Sequence, residues 1–337
     1  MRERRSGWTV AMLWAAVLAA LVLSLCVGRY AVPPGTVARV LLARFLPITP
    51  DWDPTVETVV WQVRLPRALA GALVGASLAA GGAVFQGLFH NPLVSPYVLG
   101  VSSGAGFGAA VAILLGAGAI LTQASAFAMG AVAVLLTMLI ARSGRDGSQV
   151  TLVLAGFVVG SLFSSLISGA QYVADPATKL PQIVFWLMGS LAAVQWGDLG
   201  RAAIVTVPCL AAVMALRWKL NVLSMGDDEA RSLGENPPAM RLLLIGLTTM
   251  ATAVSVSLAG VIGWVGLVVP HMGRWLVGPD ARRLVPASMA AGALAMMLID
   301  DVARTLLTAE IPLGILTGII GAPVFAVLLQ RRRSGWE

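Results

Sequence analysis

From Ala68 to Ala141 the chain carries no aspartate, glutamate, lysine or arginine, and His90 is its only side chain able to gain a proton and a positive charge. No water-soluble domain can cover so long an uncharged run. At about 20 residues per crossing, the run holds three membrane-spanning helices joined by short turns. "HNPLVSP" and the Gly116–Gly118 stretch supply the breaks. Shorter uncharged runs occur at Ser6–Gly28 and Val150–Tyr172. The composition agrees, with 58% hydrophobic and 12% charged residues against roughly 45–50% apolar in soluble domains. The fold class that follows is all-α, a polytopic membrane protein.

Arginines sort the crossings. Arg2/Arg4/Arg5, Arg142/Arg145, Arg217/Lys219/Arg231/Arg241, Arg274/Arg282/Arg283 and Arg331/Arg332/Arg333 form clusters between apolar runs. Basic residues gather on the cytoplasmic side, so an even number of crossings must separate neighbouring clusters. That holds if "PQIVFWLMGSL" is a surface or re-entrant helix on the outer side and the sixth span begins near Asp198. Span nine then covers about Leu284–Ile299 and span ten about Ile311–Gln330, giving ten transmembrane helices with both termini cytoplasmic. The uncharged segment 242–273 is short for spans seven and eight. About 16 residues each reach roughly 24 Å, less than the ~30 Å hydrocarbon core. Either Arg274 snorkels from a longer helix, or a helix is broken around Gly260, Gly263 and Gly266. The 36 glycines, as in "AGALVGASLAAGG", put small residues where helices in lipid must approach closely. The whole chain, 1–337, reads as one transmembrane domain: a retained first span and outer linker (1–62), a core (63–337), and within it a cytoplasmic connector (220–240).

Several chemistries find no residues to carry them. No span has a charge near its middle, where ion-coupled carriers place ionisable groups; Asp300 and Asp301 fall at the outer end of span nine. His90 and His271 stand alone, without a metal-ligand pattern. Cys26 and Cys209 read as small buried hydrophobes. No GxxxxGK[ST] phosphate loop is present, so the chain reads as a transport subunit and not an enzyme, with no cofactor of its own. The net charge of +7 fits membrane topology rather than nucleic acid.

One connector gathers charge against this background. "SMGDDEARSLGENPPAMR", Ser224–Arg241, holds Asp227, Asp228, Glu229 and Glu235 between two apolar runs. Asp227 and Asp228 suit the N-terminus of a short helix, Gly234 stops it, and Asn236-Pro237-Pro238 starts the next. Exposed Asp227, Asp228, Glu229 and Arg231 can pair with charges on another chain.

"VRLPRALAGALVGASLAAGGAVFQGLFHNPLVSPYVLGVSSGAGFGAA", "SMGDDEARSLGENP", "SLAGVIGWVGLVVPHMGRWLVG", "DDVART" and "EIPLGILTGIIGAPVFAVLL" together resemble the permease subunits of iron-chelate/haem/cobalamin ABC importers, from Val63 to the C-terminus and in the family's order. The resemblance implies a type II importer permease in the bacterial inner membrane. It implies a second permease subunit, taken as another copy of this chain. It also implies two cytoplasmic ABC ATPases that bind ATP-Mg and an extracytoplasmic substrate-binding protein. By the same likeness Asp227, Asp228, Glu229, Arg231 and Gly234 couple to the ATPase. Arg64 and Arg67 of "RLPR" and Arg304 of "DDVART" dock the binding protein, although Arg304 has Asp300 and Asp301 as alternative partners. Asn91, Leu93, Ser148 and Gln149 become gate residues, and Ser161, Ser164, Ser165 and Ser168 line the pathway. The family's commonest use makes the expected substrate an iron chelate, a siderophore or haem. Cobalamin or an oxyanion such as molybdate is the alternative within the family. A permease for bare zinc or manganese would want histidines or carboxylates along the path. From another class, a stand-alone ion-coupled carrier is the rival. Upstream of Val63 nothing functional is assigned.

Overall fold

The computed structural model describes residues 2–143 and 149–331, all of them in helices, turns and loops. α1 (Arg2–Cys26) is the first crossing and α2 (Pro34–Leu42) lies in the linker after it. The second crossing differs from its expected start. Helix begins at Pro54 and runs to Leu88 without interruption, as α3 (Pro54–Thr58), a π-helical turn (Val59–Arg64) and α4 (Leu65–Leu88). Pro66 accounts for the π turn. Its ring lacks an N–H and crowds the carbonyl four residues back, so the preceding turn widens, and the Leu65 N–H reaches Val60 O. "RLPR" is therefore inside a rod and not ahead of one.

α5 (Val101–Leu114) and α6 (Ala119–Ser143) follow the two predicted breaks, with Gly116 at φ 75° in the second turn. α7 (Gln149–Val173) is the fifth crossing, and α8 (Lys179–Met188) is the short helix expected from "PQIVFWLMGSL". Ile183 of α8 is buried against Ala110 and Ile113 of α5. α9 (Trp196–Leu223) starts with a capping box between Gln195 and Asp198. α10 (Asp227–Ser232) is the connector helix, and α11 (Pro237–Ala259), α12 (Val265–Val277), α13 (Ala281–Thr305) and α14 (Leu313–Arg331) complete the order.

The short stretch between Arg241 and Arg274 is resolved by a break. α11 stops at Gly260 (φ 73°), and α12 starts only after Trp264 (φ 68°). α12 has 13 residues, about 20 Å of helix, and reaches three residues beyond Arg274. Among the described residues seven helices are long and apolar enough to cross a membrane; α5 and α14 are shorter apolar helices. With α12 these make the ten crossings.

α4 is the centre of the bundle, packed on α13, α11, α12 and α9. Its antiparallel register with α13 advances one turn at a time. Arg67 lies opposite Asp300, Gly71 opposite Met296 and Gly75 opposite Gly292. A Cβ on Gly75 would overlap the Gly292 carbonyl, and one on Gly82 would overlap the Gly266 carbonyl of α12. Helices embedded in lipid gain little from apolar burial against one another, so backbone contact of this closeness supplies much of the packing. Gly75→Leu is expected to cost about 3 kcal/mol by overpacking against backbone that cannot yield. Gly169→Leu, where an added Cβ meets no atom within 4 Å, is expected to cost little. Thermal unfolding of the two purified variants in detergent checks the contrast.

Candidate coupling and gating site

Two glycines shape the connector. Gly226 (φ 122°) precedes α10 and Gly234 (φ 82°) follows it, both in backbone regions that side chains disfavour. Asp227, Asp228 and Glu229 occupy the first turn of α10, where the helix dipole favours negative charge. Asn236 then caps α11 by accepting from Ala239 N at 3.2 Å, with Pro237 in the first turn. The predicted helix, stop and restart are all present. Two ion pairs brace the hairpin against the helices that carry it: Asp227 to Arg241 at 2.6 Å and Glu235 to Lys219 at 2.8 Å. Arg231 turns back to Asp228 at 2.8 Å. The residues presented outward include Asp228, with a side chain 94% exposed, Glu229, Arg231, and the apolar Met225 and Leu233, 62% and 60% exposed. Met225 and Leu233 were missed from the sequence; apolar residues bordering a charged run were the available signal.

The turn after α4 sits on this hairpin. His90 takes a positive φ of 46°, and its Nε2 lies 3.3 Å from Ser224 O. Asn91 Oδ1 accepts from Leu93 N at 2.9 Å, an Asx turn that leaves the Leu93 side chain exposed. Asn91 and Leu93 are thus at the connector end of the bundle. Gln149 is the first residue of α7, and Ser148 lies outside the described residues. Ser161, Ser164, Ser165 and Ser168 stand on an exposed face of α7. Ser165 donates to Ser161 O and Ser168 to Ser164 O, both at 3.1 Å; these are ordinary intrahelical bonds. Phe157 on the same helix and Ile319 on α14 are also strongly exposed.

The opposite end differs from expectation. Arg64, Arg67 and Arg304, taken from the sequence as binding-protein contacts, are 3%, 5% and 7% exposed. Arg67 forks onto Asp300, with Nε to Oδ2 at 2.8 Å, and onto Glu310, with Nη2 to Oε2 at 2.9 Å. Arg304 pairs with Asp301, the alternative read from the sequence, and also donates to Ser24 O. Arg64 donates to Leu25 O and Cys26 O at 2.7 and 3.1 Å and to Tyr30 O. Two of the three arginines therefore serve carbonyls at the C-terminus of α1, which have no partner within that helix. Ser24 Oγ donates to Asp301 at 2.7 Å and closes the cluster. Buried charge must be paired where it stands, and each of these guanidiniums is paired within this chain. Glu310, absent from the sequence reading, is the half-buried member. Burial pushes its carboxyl up, but the hydrogen bond and charge of Arg67 outweigh this and hold it below the usual range.

Among the described residues no group of three or more His, Cys, Asp or Glu side chains could hold a metal ion. Residues 16–331 match the model of the FecCD transport family. The chain belongs to the FecCD transport family. Its relatives include the molybdate import system permease MolB of Haemophilus influenzae, 42% identical over 93% of each chain. The vitamin B12 import system permease BtuC of Escherichia coli is 40% identical, covering 94% of this chain and 93% of its own. A solved metal-chelate type ABC transporter in an inward-facing conformation superposes with TM-score 0.86 at 40% identity, covering 96% and 98% of the two chains. PsaBC of Streptococcus pneumoniae, at 21% identity and TM-score 0.59, shares the fold. This FecCD protein is a multi-pass permease subunit of an ABC-type importer, with the type II permease fold, and not an enzyme.

Asp300→Asn, which strips a buried carboxylate from Arg67 and Arg304, is expected to cost about 3–5 kcal/mol. Arg39→Gln, breaking the exposed Arg39–Asp51 pair, should change stability by about 1 kcal/mol or less. Thermal unfolding separates the two. The Glu310 link has a depressed folded pKa, so its stabilisation is complete above the ordinary glutamate range, about pH 4.3, and is lost as pH falls through the lower folded value. Unfolding midpoints measured on descent below pH 5 should drop less in Glu310→Gln than in the unaltered protein.

Proposed function

We propose that this chain forms half of a corridor that a separate ATPase opens from the cytoplasmic face, admitting a metal-centred substrate carried intact. The observation that carries the reading is the connector hairpin. It is braced by Asp227–Arg241 and Lys219–Glu235, yet offers Asp228, Glu229, Met225 and Leu233 outward. Rigid support beneath an exposed acidic and apolar tip suits docking into a cleft of an ABC ATPase, which would bind ATP-Mg. The same end bears Arg217, Lys219, Arg241, Arg274, Arg282 and Arg283, which favours a cytoplasmic placement. Both termini would share that side in a bacterial inner membrane.

A second copy of the chain is the proposed partner across α7 and α14, whose exposed Phe157, Leu162, Ile319 and Val327 need cover. Asn91 and Leu93, with Ser148 and Gln149, would then narrow the path at the connector end, and the α7 serines would face it. For substrate, relatives named for molybdate and vitamin B12 at 42% and 40% identity support an oxyanion or a chelated metal. A ferric siderophore or haem stays within that class. Family membership speaks against the stand-alone carrier, and the relatives' named cargoes favour an oxyanion or chelate over a bare cation. A binding protein at the outer end would meet the exposed part of Glu310 before the buried arginines.

Asp228→Lys combined with Leu233→Asp should cut co-purification of the ATPase about tenfold or more while leaving the unfolding midpoint unchanged. Undiminished co-purification sinks the docking assignment. Proteoliposomes holding permease, ATPase and binding protein, offered labelled molybdate, cobalamin or a ferric chelate, identify the cargo; uptake without the ATPase would refute the motor-dependent reading.

A further inference from the structure

At the connector end, a chamber of about 490 Å³ opens between α4, α9, α12 and α13. It belongs to neither the α7 serine face nor the hairpin tip. The chain has two histidines, far apart in sequence, and both line this chamber, His90 from the turn after α4 and His271 from α12. Arg274, one turn beyond His271, lines it too and is held by a hydrogen bond to Gln86 Oε1 across the chamber wall. Asn221 and Ser224 add polar atoms from α9. Among the described residues that line the space there is no carboxylate. Asp280, just before α13, is occupied by Asn221 Nδ2 at 2.6 Å and Arg282 N at 2.9 Å. The remaining walls are apolar, chiefly Leu220, Leu284, Val285 and Trp275. Trp275 is 50% exposed, which leaves that side open toward the surroundings of the bundle.

A concave, mostly apolar space with a few convergent polar groups is the form of a ligand site. Arginine recognises phosphate through its fixed fork, and the Gln86 bond sets the fork's orientation in advance. We propose that this chamber binds a phosphate-type anion attached to an apolar body, with the phosphate oxygens against Arg274 and the histidines and the body along Leu220, Leu284 and Trp275. An anionic phospholipid of the adjoining leaflet and a free phosphorylated small molecule share this chemistry. Basic pockets between spans on the cytoplasmic side hold headgroups in this way. Assigning the inner leaflet rests on the sidedness proposed above, whereas the anion preference rests on the lining residues alone.

The test uses the full-length protein in detergent, loaded with phosphatidylglycerol or phosphatidylcholine and read by native mass spectrometry. Unfolding midpoints in inorganic phosphate are measured alongside. Loss of a charge-assisted phosphate contact is worth about tenfold or more in affinity. The unaltered protein should retain phosphatidylglycerol over phosphatidylcholine by about that factor, and Arg274→Gln should abolish the preference. Gly87→Leu provides a second variant, because Gly87 lines the chamber and an added Cβ there meets no atom within 4 Å, so the side chain takes up part of the space. It should lose the lipid with an unchanged midpoint in phosphatidylcholine. Arg201→Gln, at the outer end of α9 and exposed, should behave like the unaltered protein. Stabilisation by inorganic phosphate without lipid preference, lost in both chamber variants, assigns the site to a free anion. No phosphatidylglycerol preference and no phosphate response, or variants indistinguishable from the unaltered protein, overturns the proposal. Because hairpin docking is read by ATPase co-purification, either result can fail without the other.

Discussion

The backbone contact between α4 and α13 sets the rest of the molecule. Gly75 and Gly292 remove the side chains that would hold the helices apart, and in lipid such closeness is what makes helix association favourable. The one-turn register that follows places Arg67 against Asp300. Only at that separation can a guanidinium on one helix fork a carboxylate on the other while both stay buried.

Buried charges then tie together the end opposite the connector. Arg67, Arg304 and Arg64 join α4 and α13 to the end of α1 and to Glu310 of the following loop. Replacing one member leaves the others unpaired in a medium that penalises them heavily. The connector end is built on the opposite plan. Its ion pairs are partly exposed, its hairpin projects beyond the spans, and a chamber separates the helix ends. One tightly pinned end and a looser connector end suit a corridor worked from one side.

Much of the fold was legible because the solvent is lipid. Charge-free runs had to cross, basic clusters had to share a side, and these two constraints gave the order of ten spans and marked α8 as a short helix between two of them. "GDDEARSLG" announced its own helix through acidic residues at the start and glycine at the end. The start of the second span was misplaced because Arg64 and Arg67 looked like residues that end a crossing. In the fold they lie within a longer rod, compensated by Asp300 and Glu310, whose distance in sequence hides the pairing. The burial of the three arginines was hidden for the same reason. Charge alone does not reveal whether a guanidinium faces a partner or its own helix ends.

The sequence by itself determined what is local or imposed by the membrane: the all-helical class, the spans, the connector and its caps, and the lack of a phosphate loop. Tertiary structure alone decided which charges meet, which glycines touch, and that His90 and His271 line one chamber. Those outcomes depend on contacts between segments far apart in the chain, and a residue's type and spacing carry no record of its partner across the bundle.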